Sequence, residues 1–298
     1  MRVASYGSRV QPATRNSQPA TRNSQPATRN PQLATRNSQP ATMNIRKNKI
    51  KEYFRKGKST FGIWNGIANP YAAEICAGAG FDWVLIDAEH APYDLQSILT
   101  SHQAMASYNT GIIVRPPSNN PVFIKKLLDI GVQTLLIPVV ETAEQAKNLV
   151  QAITYPPKGI RGVGSALSRA AQWKRVPDYF EKVQDELCLI VQVETVKGMQ
   201  NIEAICNVEG IDGVFIGPAD LAGSMGMLGQ PMHDTVRAEV RRGLGIIKKS
   251  GKVAGVLAVR DDVIKEYQDA GASFIGLGVD LILLAKATTA LAQKYIKK

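Results

Sequence analysis

Eight short apolar runs recur along the chain, each ends at a turn, and stretches with helical periodicity separate them. Strands that alternate with helices predict a parallel sheet covered by helices, and eight repeats predict closure into a (β/α)8 barrel of the TIM type, in the α/β class. Such a barrel takes about 250 residues, so the 298-residue chain can hold one. The predicted strands are Phe61–Trp64, Trp83–Asp87, Ile112–Arg115, Thr134–Pro138, Leu189–Glu194, Gly213–Ile216, Val253–Leu257 and Phe274–Leu277.

Helical segments lie between these predicted strands. One of them has apolar residues at helical spacing after Thr235, which we expect to be its N-cap. The connection Tyr155–Tyr179 is longer than most loops, so we expect it to cover one end of the barrel. Its glycines do not follow a strand in GxGxxG order, which argues against a dinucleotide site. The helices predicted most clearly are Pro121–Asp129, Ala143–Ile153 and Val236–Ser250.

Residues 1–42 differ in composition from the rest of the chain. A seven-residue unit, QPATRNS, repeats from Gln11 to Thr42 with a proline in nearly every copy. Because proline breaks helices and the unit lacks an apolar seam, we predict a disordered tail without a catalytic role, followed by a barrel domain over residues 43–298. The Arg- and Ser-rich composition resembles that of a transit peptide, but the prolines disfavour the amphipathic helix that such peptides need. A tandem DNA repeat, read through ahead of an effective start at Met43, is an equally good explanation.

The net charge of +11 does not by itself indicate a nucleic-acid partner. Ten of the 36 basic residues precede the first acidic residue, Glu52, which leaves 26 basic against 25 acidic residues in the remainder. A nucleic-acid-binding protein is expected to carry its positive charge on the folded domain. No apolar run approaches the roughly 20 residues that span a bilayer, and three well-separated cysteines fit a reducing compartment. We therefore expect a cytoplasmic protein with neither a nucleic-acid nor a membrane partner.

Two acidic residues follow neighbouring predicted strands. Glu194 and Asp220 stand one β–α–β step apart, and strands about 4.8 Å apart let both carboxylates reach one cation. Two carboxylates with open positions suit Mg²⁺ or Mn²⁺. The alternative is that both residues merely cap the helices that follow. Gln192 faces the same way as Glu194, so its amide needs a ligand or a neighbouring side chain as partner.

His90 follows Asp87 and Glu89 at the end of the second predicted strand. A carboxylate neighbour orients a histidine ring and raises its pKa, which suits general acid–base catalysis, although a lone histidine is more often structural. His102 and His233 have no such neighbours, and we expect both to be surface residues.

Arg115 ends the third predicted strand, ahead of two prolines that stiffen the exit. A guanidinium binds carboxylates and enolates in a forked geometry, so Arg115 is a candidate for stabilising an enolate, with a salt bridge to Asp87 or Glu89 as the structural alternative. Glu141 also follows a strand, but Thr142 and Gln145 have capping-box spacing and favour a structural role. No lysine ends a predicted strand, which argues against Schiff-base chemistry and for a metal as electron sink.

Several segments in one collinear order, from about residue 60 to 290, resemble the metal-dependent (class II) pyruvate aldolases of the 4-hydroxy-2-oxoheptanedioate aldolase type. The repeat tail has no counterpart in that family. The segments that carry the resemblance are GFDWVLIDAEHAPYD, VRPPSNNP, YPPKGIRGVGSALSRAAQW, VQVET and EGIDGVFIGPADLAGSMG.

The resemblance implies a (β/α)8 barrel of the phosphoenolpyruvate/pyruvate-binding type that reversibly cleaves a 4-hydroxy-2-oxo acid to pyruvate and an aldehyde. It implies that Glu194 and Asp220 hold Mg²⁺, Mn²⁺ or Co²⁺ and that Arg115 stabilises the enolate. His90 would be the general base, made more basic by Asp129. The other implied substrate contacts are Trp64, the Gly162–Ser165 loop, Gln192, Gly217, Pro218, the backbone of Ala219, and Asp220.

The resemblance also implies a homohexamer of paired barrels that exchange the last helix, Leu281–Ile296. The family usually has glycine where this chain has Ala88, and the extra methyl could be tolerated or could tilt the turn that holds Glu89 and His90. The implied substrate is 4-hydroxy-2-oxoheptanedioate, which yields succinate semialdehyde. Sugar-acid substrates, a hydroxyacyl-CoA lyase activity and a catalytically silent barrel remain as alternatives.

Overall fold

The computed structural model describes residues 43–296, and eight parallel strands among them close a barrel in sequence order, with the last strand paired to the first. The predicted (β/α)8 fold is confirmed, with strand limits that differ from the predicted ones by at most two residues. The strands are β1 (Thr60–Asn65), β2 (Trp83–Asp87), β3 (Gly111–Arg115), β4 (Thr134–Ile137), β5 (Cys188–Val193), β6 (Gly213–Ile216), β7 (Val253–Leu257) and β8 (Phe274–Val279).

Helices surround the barrel. Their limits are α1 (Lys49–Arg55), α2 (Pro70–Gly78), α3 (Leu95–Met105), α4 (Pro121–Asp129), α5 (Ala143–Ile153), α6 (Tyr179–Lys182), α7 (Val196–Gln200), α8 (Ile202–Cys206), α9 (Pro218–Ser224), α10 (Asp234–Lys249), α11 (Asp261–Ala270) and α12 (Asp280–Tyr295), with a 3-10 turn at Val183–Glu186. None of these helices is both long and apolar enough to cross a bilayer, within the part of the chain that the structure describes. The predicted tail over residues 1–42 lies outside the described residues.

Large aromatic side chains fill the interior of the barrel. Trp83 stacks on Phe274 with ring centroids 4.3 Å apart, and Trp64 packs against Phe215 at 5.5 Å. Helix α1 adds the buried side chain of Ile50 to this cluster. The interior is therefore a packed core, which leaves room for a ligand only at the ends of the barrel.

Two local predictions require correction. Helix α10 begins at Asp234 and not at Val236, because the His233 ring nitrogen Nδ1 accepts from the backbone N–H of Thr235 at 3.3 Å, so His233 and not Thr235 is the N-cap. His102 is buried, with 7% of its surface exposed, and is not the surface residue that we expected. It lies in the last turn of α3, where tertiary packing covers it.

The long connection Tyr155–Tyr179 packs against the carboxyl end of α4. The Ser168 hydroxyl donates to the Asp129 carbonyl at 3.1 Å, and Arg169 donates to the Ile130 carbonyl at 2.8 Å. A helix that follows a barrel strand runs antiparallel to it, so the carboxyl end of α4 lies at the amino-terminal end of the barrel. The connection therefore borders that end, opposite the carboxyl ends of the strands.

Candidate active site

A cavity of about 530 Å³ opens at the carboxyl ends of the strands. The side chains around this cavity are far apart in sequence. The barrel brings them together because each stands at or just after the end of a strand. Predicted site residues that line the cavity are Trp64, His90, Arg115, Gln192, Gly217, Pro218, Ala219 and Asp220.

Arg115 is held by two carboxylates. Its Nε and Nη2 atoms donate to the two oxygens of Asp87 at 2.9 and 2.6 Å, and its Nη1 lies 3.1 Å from Glu89 Oε2. Only 6% of Arg115 is exposed, so the pair is formed away from bulk water. The salt bridge that we considered as a structural alternative is therefore present, and it fixes the guanidinium at the cavity, where it is available to a ligand.

The turn after β2 tolerates alanine. Asp87 Oδ1 accepts from the backbone N–H groups of Glu89 at 3.1 Å and His90 at 3.4 Å, and the Ala88 N–H donates to the Arg115 carbonyl at 2.8 Å. Ala88 does not adopt a left-handed backbone and is buried without displacing these bonds. The methyl group of Ala88 thus has a place in a turn whose hydrogen bonds are formed.

His90 projects from the same turn. Its side chain is 63% exposed, and its Nε2 lies 3.7 Å from Glu89 Oε2. Burial raises the pKa of Glu89, whereas the charges of Arg115 and His90 oppose that rise. The imidazole therefore borders a partly buried acid and remains accessible from the cavity.

Glu194 is a buried carboxylate at the end of β5. Its Oε1 accepts from the backbone N–H of Val139 at 2.9 Å, and its Oε2 is hydrogen-bonded to Gln192 Nε2. Burial raises the pKa of Glu194 to about 7, and the nearby charges of Asp220 and Glu89 add to the rise. The site thus concentrates negative charge, which a bound cation would relieve.

Gln192 connects Arg115 with Glu194. Its amide nitrogen bonds to Glu194, and its Oε1 lies 3.5 Å from Arg115 Nη1. Gly217 lies against this pair, and a Cβ built on it would stand 2.5 Å from Glu194 Oε2. Only glycine therefore fits at this point without moving the carboxylate.

The structure excludes simple capping roles for the two predicted metal ligands. Thr195, not Glu194, caps α7, through a bond from the Gly198 N–H to its hydroxyl at 3.0 Å. Asp220 is the third residue of α9, whose N-cap position belongs to Gly217. Glu141, by contrast, is structural as expected: its carboxylate bonds to Thr195 at 2.9 Å, and α5 begins with the predicted capping box.

The residues present fit a hard divalent cation. Glu194 and Asp220 lie close enough for the charge of Asp220 to raise the pKa of Glu194, and two carboxylates would leave most coordination positions of Mg²⁺ or Mn²⁺ open to water and substrate. No group of three or more His, Cys, Asp or Glu side chains converges on one metal position within residues 43–296. A metal held by this pair would therefore take its other ligands from solvent or substrate.

Two predicted site elements do not reach the cavity within one chain. Asp129 ends α4 and pairs with Arg161 at 3.2 Å, at the opposite end of the barrel from His90. The Gly162–Ser165 loop belongs to the connection beside α4, where a Cβ on Gly162 would meet the Lys125 side chain at 3.1 Å. Both expectations are corrected for the single subunit, because a helix that follows a strand carries its carboxyl end away from the strand ends.

Sequence reasoning missed two features of the site. Val139 adopts a left-handed backbone with φ of 53°, which is rare for a β-branched residue, and its N–H bonds to Glu194. An apolar wall that includes Leu257, Val259 and Tyr267 completes the cavity. Neither feature has a local sequence signal, because both depend on packing between distant segments.

Comparison with known proteins agrees with this architecture. The HpcH/HpaI aldolase/citrate lyase family model matches residues 60–287. A 4-hydroxy-2-oxo-heptane-1,7-dioate aldolase from Salmonella dublin is 50% identical over 249 residues, which cover 84% of this chain and 95% of the relative, and one from Escherichia coli is 49% identical over the same shares.

Solved structures show the same relationship. The crystal structure of a HpcH/HpaI aldolase/citrate lyase family protein from Burkholderia cenocepacia has a TM-score of 0.79 and 34% identity, and the match covers 83% of this chain and 99% of the other. The family match over residues 60–287 includes all eight strands and therefore the strand ends that form the cavity. The chain therefore belongs to the HpcH/HpaI aldolase/citrate lyase family, as the resemblance of its motifs predicted.

Proposed function

We propose that the protein is a divalent-metal-dependent aldolase that reversibly cleaves 4-hydroxy-2-oxo acids to pyruvate and an aldehyde. One observation carries the proposal: a buried guanidinium, Gln192 and the carboxylate of Asp220 line a single cavity at the strand ends, and Gln192 bonds to the adjacent buried carboxylate of Glu194. The proposed substrate is 4-hydroxy-2-oxoheptanedioate, with succinate semialdehyde as the aldehyde product. Two relatives named for this activity, at 50% and 49% identity, support the choice.

Glu194 and Asp220 would hold the cation, Mg²⁺, Mn²⁺ or Co²⁺. When bound, the cation would polarise the 2-oxo group of the substrate and stabilise negative charge on its oxygen. Gln192, the backbone of Ala219 and the neighbouring Gly217–Pro218 turn would contact the pyruvate half. Trp64 would pack against it as the apolar side of the cavity.

In the cleavage direction, the 4-hydroxyl group loses its proton and the C3–C4 bond breaks. The electron pair of that bond becomes the enolate of pyruvate, and the hydroxyl-bearing carbon leaves as the aldehyde. Arg115 would stabilise the enolate charge through the N–H groups that Asp87 leaves free, because Asp87 occupies the Nε and Nη2 fork and holds the guanidinium in position. Protonation at C3 then gives pyruvate, and the addition direction reverses these steps.

His90 would accept the 4-hydroxyl proton, directly or through a water. Its exposed ring at the cavity supports this role. Asp129 would orient and activate His90 only if it came from a neighbouring subunit, since within a chain it lies at the other end of the barrel. The Gly162–Ser165 loop would likewise reach the active-site cavity only of a neighbouring subunit.

We propose that the protein assembles as a homohexamer of paired barrels that exchange α12. Unusual exposure of this helix supports the proposal, since Leu281, Ile282, Leu284 and Leu291 each expose 47–62% of their surface in the single subunit. Sedimentation velocity should give a hexamer for the wild type, and Leu284→Asp should shift the protein to smaller species. A wild-type protein that sediments as a monomer would refute the assembly.

A substrate panel separates the activities that this scaffold supports. Pyruvate release should be followed with coupled lactate dehydrogenase for 4-hydroxy-2-oxoheptanedioate, a 2-keto-3-deoxy sugar acid and citramalyl-CoA. We expect the highest kcat/KM for the heptanedioate. A preference for the sugar acid or the CoA ester would reassign the substrate, and a folded protein that releases no pyruvate from any of them would indicate a catalytically silent barrel.

We also propose that the protein works in a reducing compartment, the cytosol. The three cysteines, Cys76, Cys188 and Cys206, support this location, because each is a buried, unpaired thiol in the described part of the chain. Cell fractionation tests it, and recovery of the protein from an oxidising compartment would contradict it.

A further inference from the structure

A second cavity, of about 150 Å³, lies at the amino-terminal end of the barrel. The start of α1, the end of α3, the segments that lead into β3 and β4, and the Tyr155–Tyr179 connection surround it. The active-site cavity opens at the other end of the strands, so the two share no lining residue. The packed aromatic interior separates them.

The lining of this cavity carries positive charge that is only partly balanced. Four cationic side chains line it, and no acidic side chain does so within residues 43–296. Lys47 is neutralised by Glu186 at 2.5 Å. Arg46 and Arg169 have no carboxylate within salt-bridge distance in the described part of the chain. Burial and the charge of Arg46 both lower the pKa of Arg169, which indicates two close cations without a shared anion.

Two neutral polar groups in the same lining also lack partners. His102 is 7% exposed and Thr110 is 5% exposed. Neither His102 Nδ1 nor the Thr110 hydroxyl has a hydrogen-bond partner among the residues described. Buried polar groups are usually satisfied, so two such groups beside two unbalanced arginines indicate a missing ligand that accepts hydrogen bonds.

We propose that this cavity binds a small oxyanion, either a carboxylate or a phosphate, at a site separate from the active site. The guanidinium groups of Arg46 and Arg169 would neutralise its charge, because forked N–H donors match the geometry of both anions. The His102 ring and the Thr110 hydroxyl would supply the remaining donors. The cavity has room for one such anion but not for a nucleotide or a peptide.

Equilibrium dialysis of the full-length protein against inorganic phosphate, and separately against acetate, tests the site. Arg46→Gln is the informative variant, since the Arg46 side chain is exposed at the cavity rim and only its backbone carbonyl is bonded, to Gln133 at 2.7 Å. Arg55→Gln is the matched control, an exposed arginine of α1 that does not line the cavity. Arg115→Ala tests whether the anion binds in the active site and not in the second cavity.

We expect one of the two anions to bind, with affinity that falls roughly tenfold or more in Arg46→Gln and is unchanged in Arg55→Gln and Arg115→Ala. Binding of phosphate alone would make the ligand a phosphate, and binding of acetate alone would make it a carboxylate. Thr110→Val should weaken the same binding while the thermal midpoint without ligand stays near the wild-type value. The proposal is overturned if neither anion binds, if Arg46→Gln binds like the wild type, or if Arg115→Ala abolishes the binding.

Discussion

Asp87 holds Arg115 with both of its carboxylate oxygens, at 2.9 Å from Nε and 2.6 Å from Nη2. The two residues end adjacent strands and are paired in register across β2 and β3. The same Asp87 oxygen that accepts from Nε also accepts from the N–H groups of the turn that carries His90. One carboxylate therefore positions both the proposed enolate-stabilising group and the proposed base.

Arg115→Ala should lower kcat by roughly 10²-fold or more, by analogy with the loss of one oxyanion donor. Arg115→Lys should recover only part of the loss, since an ammonium keeps the charge but not the fork. The coupled pyruvate assay measures both, with circular dichroism to verify folding. Wild-type turnover in Arg115→Ala would limit the arginine to a structural role.

Asp87→Asn should reduce stability as well as turnover. The substitution leaves the buried guanidinium with Glu89 as its nearest charged partner, and breaking a buried ion pair costs about 3 kcal/mol or more. Urea unfolding and the coupled assay should therefore both change. Glu89→Gln is the matched comparison, and its smaller effect is expected because Glu89 makes one contact to Arg115 while Asp87 makes two. Equal effects of the two substitutions would show that the fork is unimportant.

Chelation with EDTA should abolish cleavage, and Mg²⁺, Mn²⁺ or Co²⁺ should restore it. Calorimetric titration of the metal into Glu194→Gln should show weakened binding, independently of activity. Glu141→Gln provides the control, since this acid also follows a strand but bonds to Thr195 and Lys197. Full activity in EDTA would contradict the metal requirement.

The free energy of unfolding should decrease as the pH falls from about 6.5 to about 4. Burial, together with the charges of Arg169 and Arg46, lowers the pKa of His102 to about 4, whereas the unfolded value is about 6.5. As the pH falls, the unfolded chain therefore binds the proton before the folded one does. The contribution of His102 to the free energy of unfolding is complete above about pH 6.5, and it decreases by up to about 3 kcal/mol as the pH falls to about 4.

Urea unfolding across this pH range, in phosphate-free buffer, measures the effect. His102→Gln removes the titrating group and should flatten the pH dependence by about that amount. An unchanged slope in the variant would show that other groups cause the acid sensitivity.

Much of the site could be read from local pattern. Glu194, Asp220 and Arg115 stand at the ends of apolar runs whose length and alternation with helices predict parallel strands. Parallel strands of a barrel present their carboxyl ends at one face, so the approximate convergence of these side chains follows from strand order. The Thr142–Gln145 capping box was equally readable, because a cap depends on residues three positions apart.

Other features depended on contacts between distant segments. His102 is buried at the end of α3, where the Tyr155–Tyr179 connection and the segment that leads into α1 lie around the same cavity. Val139 adopts a left-handed backbone conformation, which a valine in the sequence does not predict. The separation of Asp129 from His90 reflects the direction of α4, which carries its last residue to the opposite end of the barrel.

The amino-acid sequence by itself determined the number and order of the strands and which reactive side chains end them. Hydrophobic periodicity and the side chains at strand ends are properties of residues close together in sequence, so they can be recognised without the tertiary structure. Only the tertiary structure decided the burial of Glu194, the contacts of Arg115 with two carboxylates and the unbalanced charge of the second cavity. Dielectric environment and hydrogen-bond partners are set by residues brought close from far along the chain.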